Sequence, residues 1–567
     1  MTQSADDIAN LRSRSTWLRL TVLAIGGLYL VFAYFVSLVK YDYPIPPGDD
    51  ALRHMTEAHE IAATGNVIDP VARAASDNII PDPPVFHTLM SAISQVTGLG
   101  TVETFQIFGR LMAVFVPFVA YILARRLFKR ESPALMMFLL LAFFSPQPGQ
   151  IYSEGSYLNI ISAHVFLVFG LTALLNLLTV KVWRELAVPT GLTAVFFGAV
   201  YLSHPLSAIY LTLVLALLVG IFLVLGFKRR SWSPLRNLGL LVGVLSVTAL
   251  PFAWQYYLGD IVEKFLSLAG SLVGPGASID TASDALNFIP EQFRTTATTD
   301  TYLHFWGASI FVLGAIGMVM LFRTRHLDHG KSVMVAWIAA LLIGSQTTLL
   351  QLPLRFARDL FVPMSMIAAL ALWLMFRGLR RTSAGPIAVV VAVLAVVIQI
   401  LFGPANYTAA TGYNGLVRVQ DIDQQAITWI AEHTRPDDVL IGTPFVANAW
   451  GSYIALLTGR TVLDGAYCQN GKIDNTYKCD VIYNPNSLTA MEYYRDQNIS
   501  YVYAGHPFLC CFIWQDQVDW DFHDPLSDAK YLKRVFSAAS RNVGTTAIFE
   551  VDRSVLLREI AEAGQDL

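Results

Sequence analysis

Pro44-Ile45-Pro46-Pro47-Gly48-Asp49-Asp50-Ala51-Leu52-Arg53-His54 is the stretch on which the reading of this chain turns. It follows a first apolar run at 17–39. The prolines and glycine end one segment, and Asp49 and Asp50 stand where carboxylates satisfy the unpaired N–H groups of a new helix. Two adjacent carboxylates at a helix start, beside the bilayer and on its outer face, fit an enzyme acting on a lipid-borne substrate better than a simple channel.

The surrounding composition places that helix beside a membrane. Of 567 residues, 54% are hydrophobic and 14% charged. Soluble domains carry about 25% charged residues, so an integral membrane protein is expected. A net charge of -3 gives no nucleic-acid signal. No small-residue cleavage site follows the run at 17–39, which is expected to be retained as a span.

Apolar runs between charged breaks mark about eleven spans. They lie near 17–39, 105–126, 133–147, 157–180, 187–203, 206–226, 237–257, 303–322, 332–350, 359–376 and 386–403. The third and fifth are short for a hydrocarbon core of about 30 Å, so ten to twelve is the expected range. With the N-terminus cytoplasmic, the inner loops hold Arg125-Arg126, Lys129-Arg130, Lys228-Arg229-Arg230 and Arg380-Arg381, whereas the longer outer loops hold few basic residues. The positive-inside rule favours this orientation and puts everything after residue 403 outside.

The expected architecture is a multi-span helical bundle over 1–403 and a small extracytoplasmic α/β domain over 404–567. Two outer loops interrupt the bundle. Loop 40–104 carries amphipathic helical patterns at 50–63 and 83–97, the second opened by Pro83-Pro84. Loop 258–302 is Gly- and Ser-rich around Gly270–Ser283 and reads as a candidate flap. In the tail, Asp421–His433 and Leu488–Gln497 read as helices. Val439–Ile441, Arg460–Leu463, Ile499–Tyr503 and Thr546–Val551 read as strands. Such alternation suggests an α/β layer with its own core.

Several residues carry candidate chemistry, each beside a plainer role. Asp49 and Asp50 are good helix caps, and Asp50 can pair locally with Arg53 or His54. The same geometry sets Asp50 and His54 on one helical face, where a carboxylate can take a proton and the His can orient it or touch a sugar. Arg355 and Arg358 flank Phe356-Ala357 at an outer span mouth. They either snorkel and pair with Asp359 or clamp a phosphate with their fixed fork of donors. His204, before Pro205, is a capping or core residue or a ligand contact. Glu154, at another outer mouth, lines a pocket or a plain loop. His164 and Arg110, within spans, must face the bundle or a cavity.

These motifs together resemble the GT-C superfamily of glycosyltransferases. The resemblance rests on Asp50-Ala51-Leu52-Arg53-His54 after the first span and on Asp82-Pro83-Pro84-Val85-Phe86-His87 downstream. Ser203-His204-Pro205, Leu354-Arg355-Phe356 and Ala426–Thr434 add to it, as do the many spans and the outer α/β tail. It implies an inverting transfer of a sugar from a polyprenyl-phosphate donor to a glycan, lipid or protein acceptor outside the cell membrane. Asp50 is the implied base, with Asp49 as alternate. His54, Glu154, His204, Arg355 and Arg358 are the expected substrate contacts. No second DxD-type motif is present, so no cofactor is expected, with a divalent metal left open. A transporter or flippase for lipid-linked sugars is the alternative, although no repeat is present. A non-catalytic receptor or scaffold is a third reading.

All four cysteines, Cys468, Cys479, Cys510 and Cys511, fall in the tail. An extracytoplasmic tail permits disulfides, and no CxxC spacing favours zinc. At least one disulfide is expected, and its loss should destabilise the tail by roughly 2–5 kcal/mol. Mass spectrometry finding four free thiols in protein from the native membrane would refute this.

Overall fold

The computed structural model describes residues 16–17, 19–32, 49–67, 83–144, 158–259, 262, 296–323, 328–347, 353–379, 421–442, 447–448, 451–463, 481, 484–505, 523–540 and 544–564. Glu154, all four cysteines, the predicted span at 386–403 and most of 258–302 lie outside the described residues.

The helices of the first 379 residues are α1 (Arg19–Phe32), α2 (Asp49–Thr64), α3 (Pro84–Thr97), α4 (Thr101–Phe128), α5 (Glu131–Leu139), α6 (Leu158–Thr179), α7 (Ala187–Tyr201), α8 (Pro205–Arg229), α9 (Ser233–Thr248), α10 (Thr299–Arg323), α11 (His329–Gln346), α12 (Pro353–Asp359) and α13 (Phe361–Leu379). The tail follows as α14 (Asp421–His433), β1 (Val439–Gly442), β2 (Ala447–Asn448), β3 (Gly451–Ser452), α15 (Tyr453–Thr458), β4 (Thr461–Leu463), α16 (Leu488–Asp496), β5 (Ile499–Ala504), α17 (His523–Asp528), β6 (Leu532–Ser540), β7 (Gly544–Val551) and α18 (Arg553–Ala563). Contacts divide the chain into two compact units. One comprises Met1–Tyr43, Ile107–Ser153 and Tyr157–Gly412; the other comprises Pro44–Gln106, Glu154–Ser156 and Tyr413–Leu567. The helices of the first outer loop therefore fall in the unit of the tail.

The first unit is helical throughout its described residues. By length and apolarity, Pro205–Lys228 and Pro353–Gly378 suffice to cross a membrane, and Ser233–Thr248 with Leu250–Leu258, bent by 52°, makes a third candidate. Arg19–Phe32, Glu131–Phe144, Ala163–Thr179, Ala187–Tyr201 and Ala308–Phe322 are shorter apolar helices. Eight of the eleven apolar runs read from sequence overlap these helices, those at 105–126 and 332–350 fall on α4 and α11, and the one at 386–403 lies outside the described residues, so the count of eleven spans is not established. Two of these helices end in π-helical turns, Leu140–Phe144 and Trp254–Leu258. Such turns are where helices bend and leave the regular hydrogen-bond ladder.

Small residues and a few polar anchors hold this unit together. A Cβ on Gly314 would meet Met364, and one on Gly317 would meet the side chain and backbone carbonyl of Ile367. Close approach of α10 to α13 thus needs glycine at both places. The Asn237 amide donates to the carbonyls of Leu177 and Val180 at 2.8 and 2.9 Å, closing the end of α6. Arg130 and Arg377 lie over the Trp373 ring, 5.1 and 5.6 Å from its centroid.

The second unit has a five-stranded sheet of order β4-β1-β5-β7-β6. β4, β1 and β5 pair in parallel, while β7 runs antiparallel to β5 and β6. One face is covered by α16 and α18 over a core including Tyr494, Val502, Tyr531 and Phe549. On α14, the buried Asp423 carboxylate accepts from Tyr503 Oη at 2.7 Å and Thr546 Oγ1 at 2.8 Å, tying the helix to β5 and β7. Burial and the neighbouring Asp423 carboxylate push the Tyr503 phenol well up from its ordinary range. Arg460 donates to the carbonyls of Ala431 and Thr434 and caps the end of α14. The predicted helices and strands of the tail are present. β2, β3, β6, α15, α17 and α18 are additional: β6 is an Ala/Ser-rich, half-exposed strand of weak propensity.

The glycine contacts make a direct prediction. Gly317→Ala should overpack the α10–α13 contact and cost about 1–3 kcal/mol. Gly220→Ala, with open space around its Cβ, should be nearly neutral. Thermal melts of the two purified variants in detergent test this; equal melting temperatures would refute the close-packing account.

Candidate active site

In the second unit the candidate chemistry begins where α2 begins. Asp49 and Asp50 open its first turn. α3 starts at Pro84, whose missing N–H costs nothing there, and ends at Gly98 in the left-handed region (φ 71°). The two helices pack together.

That packing brings three ionisable side chains into one buried row. His54, one turn after Asp50, is 3% exposed, and His87 is fully buried. His54 Nδ1 lies 2.8 Å from His87 Nε2. The other nitrogen of His87, Nδ1, lies 3.5 Å from Glu57 Oε2. Phe86 stands edge-on to the His54 ring at 5.7 Å and Phe105 packs behind it, giving the row an apolar wall. Glu60, one turn beyond Glu57, is also buried. Glu57, Glu60 and His87 were not among the predicted site residues. Their signal was available, since His54, Glu57, Ala58 and Ile61 share one helical face on which polar residues replace apolar ones.

The same unit holds an open cleft of about 740 Å³. His59, Ser94, Thr101, Glu103, Gln424 and Glu432 are among its lining residues, and among the described residues no Lys or Arg lines it. With two carboxylates and several hydroxyls or amides, it suits a hydroxyl-bearing ligand and disfavours a phosphate anion.

In the first unit, α12 carries both predicted arginines one turn apart. Arg355 is half-buried and Arg358 is 5% exposed. Arg358 Nε donates to Asp359 Oδ1 at 2.8 Å, and His164 Nε2 of α6 lies 3.5 Å from Asp359 Oδ2. His204 caps α8: its Nδ1 accepts from the Ser207 N–H at 3.2 Å. It stands within electrostatic reach of Arg355, Asp359, Arg358 and His164. The capping role of His204 and the local Arg358–Asp359 pair are therefore both present, inside one polar cluster. That cluster has a fixed frame. Trp306 Nε1 donates to the Ala357 carbonyl at 2.7 Å beside a break at Gly307 (φ 75°, ψ 153°), and Phe356 packs where a Cβ on Gly344 would sit. Among the described residues no group of three or more His, Cys, Asp or Glu side chains is disposed to hold a metal ion.

No protein-family model and no curated protein matches this chain. Solved structures do. The oligosaccharyltransferase of Archaeoglobus fulgidus, in its apo form, superposes with a TM-score of 0.61 at 16% identity, over 86% of this chain and 69% of that one. The same archaeal enzyme, AglB, in complex with an inhibitory peptide and a dolichol-phosphate, matches at 0.61 and 15% identity, over 87% and 70%. The mycobacterial arabinofuranosyltransferase AftD matches at 0.52 and 14% identity, over 94% of this chain but 40% of AftD. At these identities the likeness is one of fold: the chain shares its fold with AglB and, over a smaller part of that protein, with AftD.

Proposed function

We propose that this protein is a membrane glycosyltransferase that moves a sugar from a polyprenyl-phosphate donor to a hydroxyl-bearing acceptor on the outer face of the membrane. The observation that carries the reading is the fold shared with AglB, an enzyme solved with a dolichol-phosphate. The polar clusters on α2–α3 and around α12 support it, because each gathers residue types that the reaction needs.

The acceptor hydroxyl attacks the anomeric carbon of the donor sugar from the side opposite the phosphate. The new C–O bond forms as the bond to the phosphate oxygen breaks, so the configuration inverts and polyprenyl phosphate leaves. Asp50 takes the hydroxyl proton, with Asp49 as the supporting carboxylate. Arg355 and Arg358 bind the phosphate and offset its growing charge. Asp359 holds Arg358 by its Nε, which fixes the plane of the guanidinium. In this reading no metal takes part, and His204 and Glu154 contribute to substrate binding.

Asp50→Asn keeps a good helix cap and removes the base. Transfer to an acceptor from native-membrane polyprenyl-phosphate sugars should fall about 10²- to 10⁴-fold, with donor binding and folding retained, and Asp49→Asn should do less. Near-normal transfer by both variants would reduce the pair to a cap. Transfer abolished by EDTA and restored by Mg²⁺ or Mn²⁺ would overturn the metal-free mechanism.

Arg355→Ala should weaken donor binding more than acceptor binding. Arg355→Lys should restore it only in part, because a point charge does not reproduce the fork. Unchanged donor affinity in Arg355→Ala would make the residue an interface anchor.

A further inference from the structure

The open cleft of the second unit has walls that specify a ligand. They are helical: the C-terminal half of α2, the turn from α3 into α4, and one side of α14, with α15 packed against both α2 and α14. α14 uses its two sides differently. Asp423, Ala426 and Ile430 are buried, and Asp423 is bonded to the sheet. Gln424, Thr428 and Glu432, four residues apart, run along the cleft as a stripe with one polar group per turn. Among the described residues none of the three makes a hydrogen bond or an ion pair, so their donors and acceptors are open to a ligand. Ile427 and Leu456 add an apolar strip to the same lining. On the α2–α4 side, His59 Nδ1 lies 3.4 Å from Thr101 Oγ1. The Ser94 hydroxyl donates to the Leu99 carbonyl at 2.7 Å, which leaves its oxygen as an acceptor.

The chemistry of the lining narrows the occupant. A phosphate or sulfate group would meet Glu103 and Glu432 with no Lys or Arg among the described lining residues to offset them. An extended peptide is recognised through its main chain at a sheet edge, and these walls are helices. A lipid tail would strand the polar stripe without partners. A neutral chain of sugar units meets every demand. Its hydroxyls donate to the carboxylates of Glu103 and Glu432 and accept from Gln424 and Thr428. Its C–H faces lie against Ile427 and Leu456. The volume of about 740 Å³ falls within the roughly 300–1,000 Å³ of small-ligand sites.

We propose that this cleft binds a neutral glycan, and that it holds the acceptor chain by sugar units remote from the one that reacts. The role in transfer rests on the glycosyltransferase reading; the binding itself does not. The placement follows from α2. Asp50 stands in its first turn, and His59 comes nine residues later, about 13 Å along the helix axis. The cleft therefore lies beyond hydrogen-bond reach of a hydroxyl reacting beside Asp50, at a distance that a short oligosaccharide spans. Contacts to remote units that are equal in the ground and transition states lower KM without raising kcat. A glycan acceptor of several units is accordingly favoured over a single sugar, and a glycan over a lipid or a peptide.

The test measures binding apart from activity. Full-length protein is placed in lipid nanodiscs, because maltoside detergents carry sugars of their own. Titration calorimetry with neutral tetrasaccharides of glucose, mannose, galactose and arabinose should show saturable binding of at least one, and a sulfated tetrasaccharide should not bind. Glu432→Ala and Gln424→Ala remove side chains that hold nothing in the fold, so both should melt as wild type does. Each should weaken the bound tetrasaccharide roughly three- to ten-fold. With that tetrasaccharide as acceptor, Glu432→Ala should raise KM by a similar factor rather than lower kcat, and the preference for it over its monosaccharide should shrink. Binding of no neutral tetrasaccharide, tighter binding of the sulfated one, or unchanged affinity in both variants would overturn the assignment. So would Ca²⁺ or Mn²⁺ taken up in place of sugar and lost in Glu432→Ala. If both variants lose binding but keep the wild-type KM, the cleft's role in holding the acceptor falls. If wild-type protein binds the tetrasaccharide and transfers no sugar to any acceptor, the glycosyltransferase reading fails and the glycan site stands.

Discussion

An ionised side chain inside an apolar helix bundle must find its counter-charge within the protein, and in the first unit this requirement is met at Asp359. Arg358 and His164 flank it from two helices, all three buried. Removing one member of such a set leaves a charge that neither water nor lipid can solvate, a cost of about 3–5 kcal/mol. Much of the surrounding geometry serves to hold the set in place. The break at Gly307 lets Trp306 reach the Ala357 carbonyl, and Gly344 admits the Phe356 ring. α12 is consequently fixed between α10 and α11, and its two arginines are presented by a rigid turn. A phosphate clamp needs such pre-organisation, since long side chains lose much rotamer freedom when they bind.

The second unit solves the same problem with neutral and singly charged groups. Asp423 is buried under α14, where Tyr503 and Thr546 both donate to it. The sheet therefore fixes the helix through polar contacts as well as through its apolar core. On α2 and α3 the row from Glu57 to His54 follows the same principle, with both nitrogens of His87 facing a polar partner. A partly satisfied buried network is costly. Placing the row on two packed helices rather than on the adjoining loop gives it a fixed geometry.

The sequence by itself determined most of the helices and the central strands, and which end of α2 carries carboxylates. Period-3.6 apolar spacing and Pro83-Pro84 mark α3 within a residue, and Asp421–His433 matches α14 end to end. Those signals are local: a helix face, a cap or a turn is written in residues three or four apart. β6 was not legible because its Ala- and Ser-rich half-exposed pattern has no clean alternation. What only the tertiary structure decided is which polar groups meet. Nothing in the spacing of His54 and Glu57 names His87 on another helix, and nothing in Arg358-Asp359 names His164. A buried polar residue announces that it needs a partner, whereas the identity of that partner depends on how separate helices pack, and side-chain periodicity carries no information about packing across elements.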